Sequence, residues 1–444
     1  MHKKKGFELS RRGFIKSSAA AAAGLGLMGT EKLAGAEKQP DGGKPKIREY
    51  RTLGRTGFKV SDISFGAGNL TNTALLEAAL DMGVNYIDTA EHYARGNSER
   101  TVGQVMKQRD RKSVFITTKL NFRMGASTKD GLRKRFDKCM ERLQLDYADC
   151  LMIHMTPEVD QIKHEPYHEL IRELKAEGKV RYSGLSNHGT EHNLAGQVKD
   201  PMEKVMLAAA EDGRFDVTLF VYNFLQKEQG EKILRACKEK KMGTTLMKTD
   251  PVKFLSGNEE IFKRYEDSGR KLPERFVKMF EEYKIHAAKA EDFKEKYGLE
   301  GNSQVRDAAI KFCLNNPDVH AVCPTAQTFE ELEAYIALSG QRLDAADLAM
   351  LSDFEDTNGS LYCRHACGSC EGACPMGVPV NSIMRYDHYF RAQRREKHAM
   401  EHYGKIDSDL ERTCGSCAGY CQTSCPFGVP IQSLLMMAHE TLSL

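Results

Sequence analysis

The sequence predicts an α/β fold: a closed (β/α)8 TIM barrel followed by a small α-helical domain. Three observations carry this. Between residue 48 and about residue 340, eight short β-rich runs alternate with longer helical patterns. Several of these runs are almost continuously apolar, as parallel strands covered on both faces must be. Beyond residue 356 the composition changes, and eight of the thirteen cysteines fall within 363–425.

The chain opens on a segment that does not belong to the fold. A basic start, MHKKK, leads to SRRGFIK (10–16) and an Ala/Gly-rich stretch, and Ala34-Gly35-Ala36 supplies a cleavage site. The Arg11-Arg12 pair followed by Phe14, Ile15 and Lys16 resembles a twin-arginine export signal. Residues 1–36 are therefore expected to be a signal peptide and 37–46 a flexible linker. The expected location is periplasmic or otherwise extracytoplasmic, reached in the folded state. No apolar run is long enough to leave a membrane span after cleavage. A formal charge of +3, with 29% charged residues, gives no reason to expect a nucleic-acid partner.

The strand runs are ISFGAG (63–68), NYIDTA (85–90), VFITTKL (114–120), DCLMIH (149–154), VRYSGLS (180–186), FDVTLFVYN (215–223), GTTLMKT (243–249) and VHAVCP (319–324). Helical patterns lie between them, for instance 72–83, with Asn72 or Thr73 as cap and Gly83 as stop, and 130–145. The barrel is expected over 47–356. The connection between the seventh and eighth runs is too long for a bare loop. Its Lys/Glu-rich part, 256–297, reads as a helical insertion with a solvated face. Cys139, Cys150, Cys237, Cys313 and Cys323 sit in apolar surroundings and read as small buried hydrophobes.

A barrel carries its chemistry at the C-terminal ends of its strands. Those positions hold Gly66-Ala67-Gly68, Asp88, Lys119, His154, Ser186-Asn187, Tyr222 and Lys248, with Tyr93 in the loop after Asp88. An acid, a lysine and a histidine thus converge on one mouth. The segments REYRTLGRTGFKVSDISFGAGN (48–69), NYIDTAEHYARGNSE (85–99), FITTKL (115–120) and ADCLMIHM (148–155) resemble the aldo/keto reductase family. The resemblance covers about 48–340. It implies a catalytic tetrad of Asp88, Tyr93, Lys119 and His154. Carbonyl reduction needs a hydride at carbon and a proton at oxygen. A phenol ionising near pH 10 needs a cation beside it to give up that proton at neutral pH. The resemblance gives the proton to Tyr93, the tuning to Lys119 held by Asp88, and the orientation of the carbonyl to His154.

The same resemblance implies NAD(P)H as cofactor, with Ser186 and Asn187 on the nicotinamide carboxamide. Other positions depart from the family pattern. Leu219 replaces a glutamine, Met247 stands where an aromatic often stacks, and Ala334-Tyr335 replace a Glu-Asn pair. The arginine that grips the 2′-phosphate becomes Glu331, and a carboxylate repels phosphate, so no preference for NADPH is implied. NADH, weak binding and an unusual mode are all compatible with these residues. His188 and His192, spaced i,i+4, lack a carboxylate partner in pattern and read poorly as a metal pair. The histidines at 365, 388, 398 and 402 are expected on a charged, exposed surface.

The tail, 357–444, holds Cys363-x3-Cys367-x2-Cys370-x3-Cys374-Pro and Cys414-x2-Cys417-x3-Cys421-x3-Cys425-Pro. Disulfides suit an exported chain, but cysteines three apart staple little. Zinc favours two separated C-x2-C pairs. Iron–sulfur fits best: three close thiolates hold three corners of a cubane, and the cysteine before proline crosses to the other cluster. The 39 intervening residues are helical in character, and both motifs continue alike, PMGVPVNSIM and PFGVPIQSLL. The tail therefore resembles α-helical ferredoxin-like domains with two 4Fe-4S clusters. By that analogy Cys363, Cys367 and Cys370 with Cys425 hold one cluster, and Cys414, Cys417 and Cys421 with Cys374 the other. The whole reads as an exported oxidoreductase acting on a small carbonyl or alcohol, with clusters for electron transfer. A redox partner protein is then possible. The alternative is a non-catalytic barrel that scaffolds an iron–sulfur electron carrier.

Overall fold

In the computed structural model the described residues are 43–189, 198–252, 288–406 and 417–443, together with 267, 285, 413 and 414. The expected signal segment 1–36, most of the expected linker 37–46, His192 and most of the expected 256–297 insertion lie outside them.

A hairpin comes first, β1 (Tyr50–Thr52) antiparallel to β2 (Lys59–Ser61). Eight parallel strands follow in sequence order: β3 (Phe65–Gly66), β4 (Tyr86–Asp88), β5 (Phe115–Leu120), β6 (Ala148–Ile153), β7 (Val180–Asn187), β8 (Val217–Val221), β9 (Gly243–Met247) and β10 (Ala321–Val322). The ring closes where Ile63 bridges Val322 in parallel, with Val322 N–H donating to Asp62 O and Ser64 N–H to Val322 O, both 2.8 Å. Each of the eight runs read from the sequence overlaps one of these strands, with β6 beginning one residue before its run and β7 ending one residue after its run.

Around the ring lie α1 (Thr73–Asp81), α2 (Asn97–Met106), α3 (Lys129–Leu143), α4 (Glu165–Ala176), α5 (Met202–Asp212), α6 (Lys227–Glu239), α7 (Ser303–Asn315), α8 (Phe329–Ala337) and α9 (Ala345–Asn358). Local chemistry sets their ends. Asn72, rather than Thr73, caps α1 by accepting from Ala74 N–H, worth about 1 kcal/mol, and Gly83 turns the chain at φ +98°. Thr128 caps α3 in the same way, through Gly131 N–H. Alternation along the strands sorts side chains into two cores. Tyr86, Phe115, Cys150, Met152 and Leu219 fill the barrel interior, which Leu53 of the hairpin helps to close. Ile87, Ile116, Leu151 and Phe220 face the helices. Full burial of a side chain such as Phe115 contributes about 1.5–3 kcal/mol. The five scattered cysteines are all buried, as their surroundings predict.

The tail is α-helical: α10 (Val380–Gln393), α11 (Glu396–Tyr403), a short turn α12 (Tyr420–Thr423) and α13 (Ile431–Leu442). It has its own apolar core, which includes Ile383, Tyr386, Ile431 and Leu435. It is also tied to the barrel. His365 N–H donates to Gln226 Oε1 (3.0 Å) and Gln226 Nε2 returns a bond to His365 O (2.9 Å). Arg364 Nε donates to Leu225 O, and Met202 N–H to Ala366 O. Lys44–Leu444 accordingly form one compact unit.

Two expectations are corrected here. His365, His388 and His402 are buried, and His398 is partly so, because the barrel covers the segment at His365 and one side of α10, while α10, α11 and α13 pack on one another. Tyr222 does not reach the mouth; it packs against Phe312 in the outer core.

Candidate active site

The register of the strands brings the predicted tetrad together. Asp88 ends β4 and Lys119 lies in β5, so their side chains enter the mouth from adjacent strands. Lys119, wholly buried, donates to Asp88 Oδ1 and to Thr89 O (2.7 Å). Its Nζ lies 3.5 Å from the Tyr93 hydroxyl and 4.7 Å from the centre of that ring. On the other side the hydroxyl meets His154 Nε2, also at 3.5 Å. The contacts therefore form one line, Asp88–Lys119–Tyr93–His154. Burial holds the Asp88 carboxyl above the usual carboxylate range, and Lys119 opposes that rise. His92, not singled out from the sequence, stacks on His154 at 4.8 Å.

Backbone conformation supports the site. Ala94 and Arg95, just after Tyr93, and Met155, just after His154, all have left-handed φ of +48° to +56°. Lys248, at the end of β9, does too, at +54°. Each such residue costs on the order of 1–3 kcal/mol, and such conformations cluster at functional sites.

Asp88, Tyr93 and His154 open on one cavity, whose walls also include His188, Leu219, Met247, Lys248 and Thr325. Ser186 and Asn187 lie at the end of β7, buried and not on the cavity wall. Ser186 Oγ accepts from Met155 N–H (3.1 Å) and Asn187 Oδ1 from Gly189 N–H (3.0 Å). Among the described residues, Asn187 Nδ2 is buried and has no hydrogen-bond partner. Glu331 sits in the first turn of α8, where its Oε2 accepts from Gln327 N–H (2.9 Å). Tyr335 reaches the cavity wall.

The tail contributes the opposite wall, which sequence reasoning did not anticipate. His388, Tyr389, Ala392 and Gln393 of α10, with Arg395, line the same cavity. The first four recur at helical spacing and so share a helix face. Lys248 Nζ contacts His365 Nδ1 (3.2 Å) and lies 5.3 Å above the Tyr389 ring. The buried neutral form of His365 is favoured first by desolvation and then by the charges of Lys248, His388, His188 and Arg385.

None of the thirteen cysteines is joined in a disulfide. Cys363, Cys367 and Cys370 share a cavity with Cys425 of the second motif, and Cys374 lies within electrostatic range of Cys414 and Cys421. Burial first, then neighbouring thiols and, at Cys370, the Glu371 carboxylate, push Cys370 and Cys414 up to about 12. Among the described residues, no three His, Cys, Asp or Glu side chains converge as on a single metal ion. The two sets of four thiols are the residues with the donor chemistry for a thiolate-bound centre.

A closed parallel barrel with a buried Asp–Lys pair against a tyrosine and a histidine defines a class, the barrel oxidoreductases. Residues 63–356 match the model of the aldo/keto reductase family. This chain belongs to that family and is an oxidoreductase. It is 26% identical over 320 residues to the aldo-keto reductase YhdN of Bacillus subtilis (strain 168), covering 67% of this chain and 91% of that protein. A 154-residue stretch is 35% identical to L-galactose dehydrogenase of Arabidopsis thaliana, covering 31% of this chain and 48% of that one. The holo form of aldo-keto reductase AKR11C1 from Bacillus halodurans shares the fold, with a TM-score of 0.50 at 22% identity over 68% of this chain and 95% of that one.

Proposed function

We propose that this oxidoreductase reduces a small carbonyl compound, or oxidises the corresponding alcohol, with a nicotinamide as hydride carrier. The observation that carries the reading is the line Asp88–Lys119–Tyr93–His154 opening on one cavity. Asp88 fixes Lys119, and Lys119 presents a cation to the phenol. Tyr93 donates its proton to the carbonyl oxygen, which His154 Nε2 orients. Asn187 Nδ2 and Ser186 are the groups for the carboxamide. A reduced nicotinamide, when bound, supplies the hydride.

The proposal extends to the rest of the chain. Residues 1–36 export it, folded, by the twin-arginine route to the periplasm, 37–46 link, 47–356 form the reductase barrel, and 357–444 form a ferredoxin-like domain with two 4Fe-4S clusters. Support comes from four thiols of two separate motifs around one cavity, in the crossed arrangement that the spacing suggests. The clusters, when bound, supply one-electron transfer, and a redox partner protein would exchange those electrons.

The test is Tyr93→Phe in protein purified without oxygen. Carbonyl reduction is expected to fall at least about 100-fold, with the iron content and visible spectrum unchanged. Full activity in the variant, or no dinucleotide binding by the wild type at any concentration, contradicts the reading. Tightly bound zinc in place of iron contradicts the cluster assignment alone.

A further inference from the structure

Beyond the tetrad cavity a second cleft opens between the barrel and the tail. Its walls are the loop after β3 around Asn69–Asn72, the segment Thr325–Phe329 leading into α8, and Arg394 with Arg395. Gly66, Asn69, Thr325, Gln327 and Arg395 line both spaces. The two are therefore contiguous, and together they offer an elongated ligand a path from the Tyr93 hydroxyl, past Arg395, into the cleft.

The far end of that path is biased toward anions. Helix α8, nine residues long, begins at the cleft, and Thr328 caps it by accepting from Glu331 N–H. Its first-turn N–H groups and helix dipole favour negative charge. The two arginines come from the joint between α10 and α11. Arg394 ends α10 at φ +51°, a conformation that an arginine adopts only at a cost. Arg395 rests on Tyr389, 4.8 Å from the ring centre. The joint is tied to the facing wall by Gln327 Nε2, which donates to Gln393 O (3.2 Å). Glu330 and Glu331 sit in the first turn of α8 but do not line the cleft, and the Glu331 carboxylate accepts from Gln327 N–H; Asp250 lines the adjoining tetrad cavity. Two arginines thus line the cleft at the end where α8 begins.

We propose that Arg394 and Arg395 hold a phosphate of the ligand whose reactive end reaches Tyr93. The tail, not the barrel, supplies the cation for that group. This rests on the nicotinamide reading above, and the phosphate is either the pyrophosphate common to NADH and NADPH or the additional 2′-phosphate of NADPH.

The experiment uses full-length holoprotein and the double variant Arg394→Gly, Arg395→Ala. Glycine suits the left-handed position, so the turn is retained. NADPH, NADH and inorganic pyrophosphate are each titrated, and Arg395→Lys serves as the charge-keeping control. The double variant is expected to lose at least tenfold in NADPH affinity, about 1.4 kcal/mol, with partial retention in the lysine variant. Loss confined to NADPH identifies the 2′-phosphate; equal loss for both dinucleotides identifies the pyrophosphate. Unchanged affinity for all three probes overturns the proposal, as does a wild type that binds none of them. If the wild type binds pyrophosphate in an arginine-dependent way but neither dinucleotide, the arginine site stands and the nicotinamide reading falls.

Discussion

Replacing Lys119 with methionine removes one half of a fully buried ion pair and leaves the other half in place. Asp88 is 3% exposed and Lys119 0%. Methionine fills similar volume but cannot bond to Asp88 or to Thr89 O. Removing one partner of a buried pair costs about 3–5 kcal/mol, because an uncompensated charge stays inside. At roughly 2 °C per kcal/mol for a domain of this size, the apparent Tm should fall by about 6–10 °C at pH 7. The sign of the pH dependence follows from Asp88. Burial already raises its folded pKa above the unfolded value, and Lys119 opposes the rise. A carboxyl of this kind stabilises the fold most when protonated and loses that contribution as pH climbs through the raised pKa. Without Lys119 the pKa rises further, so the gap between variant and wild type should be widest at neutral pH. It should narrow as the pH is lowered and Asp88 takes up a proton. Adding Asp88→Leu should restore much of the lost stability, since no charge then remains buried, but no activity. The assay is thermal unfolding by circular dichroism from pH 5 to pH 8. A Lys119→Met protein as stable as wild type at pH 7, or a deficit that does not change with pH, would refute the reasoning.

Three further predictions concern separate parts of the molecule. On the proposed two-cluster reading, Cys425→Ser should lower the iron content from about eight to about four atoms per chain, read by iron assay, because Cys425 lines one cavity with Cys363, Cys367 and Cys370. Gly103→Ala should destabilise by about 1–3 kcal/mol in urea unfolding, since a Cβ on α2 would stand 2.1 Å from Leu143 O of α3. His320 accepts at Nδ1 from Thr244 N–H (3.0 Å), and burial lowers its pKa to about 4. The unfolded chain therefore binds the extra proton first, and stability should drop by about 2–3 kcal/mol as pH falls from about 6.5 to about 4. His320→Gln should flatten that part of the stability profile.

The barrel was legible because strands buried on both faces carry long apolar runs that few other structures need. Asp88, Lys119 and His154 could be located by taking strand ends alone, whereas Tyr93, in the loop after Asp88, was assigned through the resemblance of 85–99 to the family. The wall contributed by the tail was not legible, for a physical reason. RYDHYFRAQRREKH has the composition of a solvated helix, yet Arg385, Asp387, His388 and Arg391 are buried, and Arg391 pairs internally with Asp387 at 2.6 Å. A charge that finds its partner within one turn of the same helix leaves no trace in composition. Nor does one sequence say which surface will cover that helix. The barrel hydrogen bonds of Gln226, which hold His365 in place, are likewise long-range contacts.

The wall formed by His388, Tyr389, Gln393 and Arg395 also sets an order in time. During synthesis the last barrel strand, ending at Val322, leaves the ribosome more than sixty residues ahead of these side chains. At about 5–20 residues per second, that interval is several seconds. The nascent chain can complete its sheet while the catalytic cavity still lacks one side. The cavity reaches its final shape only when the cysteine-bearing segment has folded against the mouth. Maturation of the tail and completion of the reductase site are one event, and a chain interrupted before residue 388 has a closed sheet with its cavity open on the tail side.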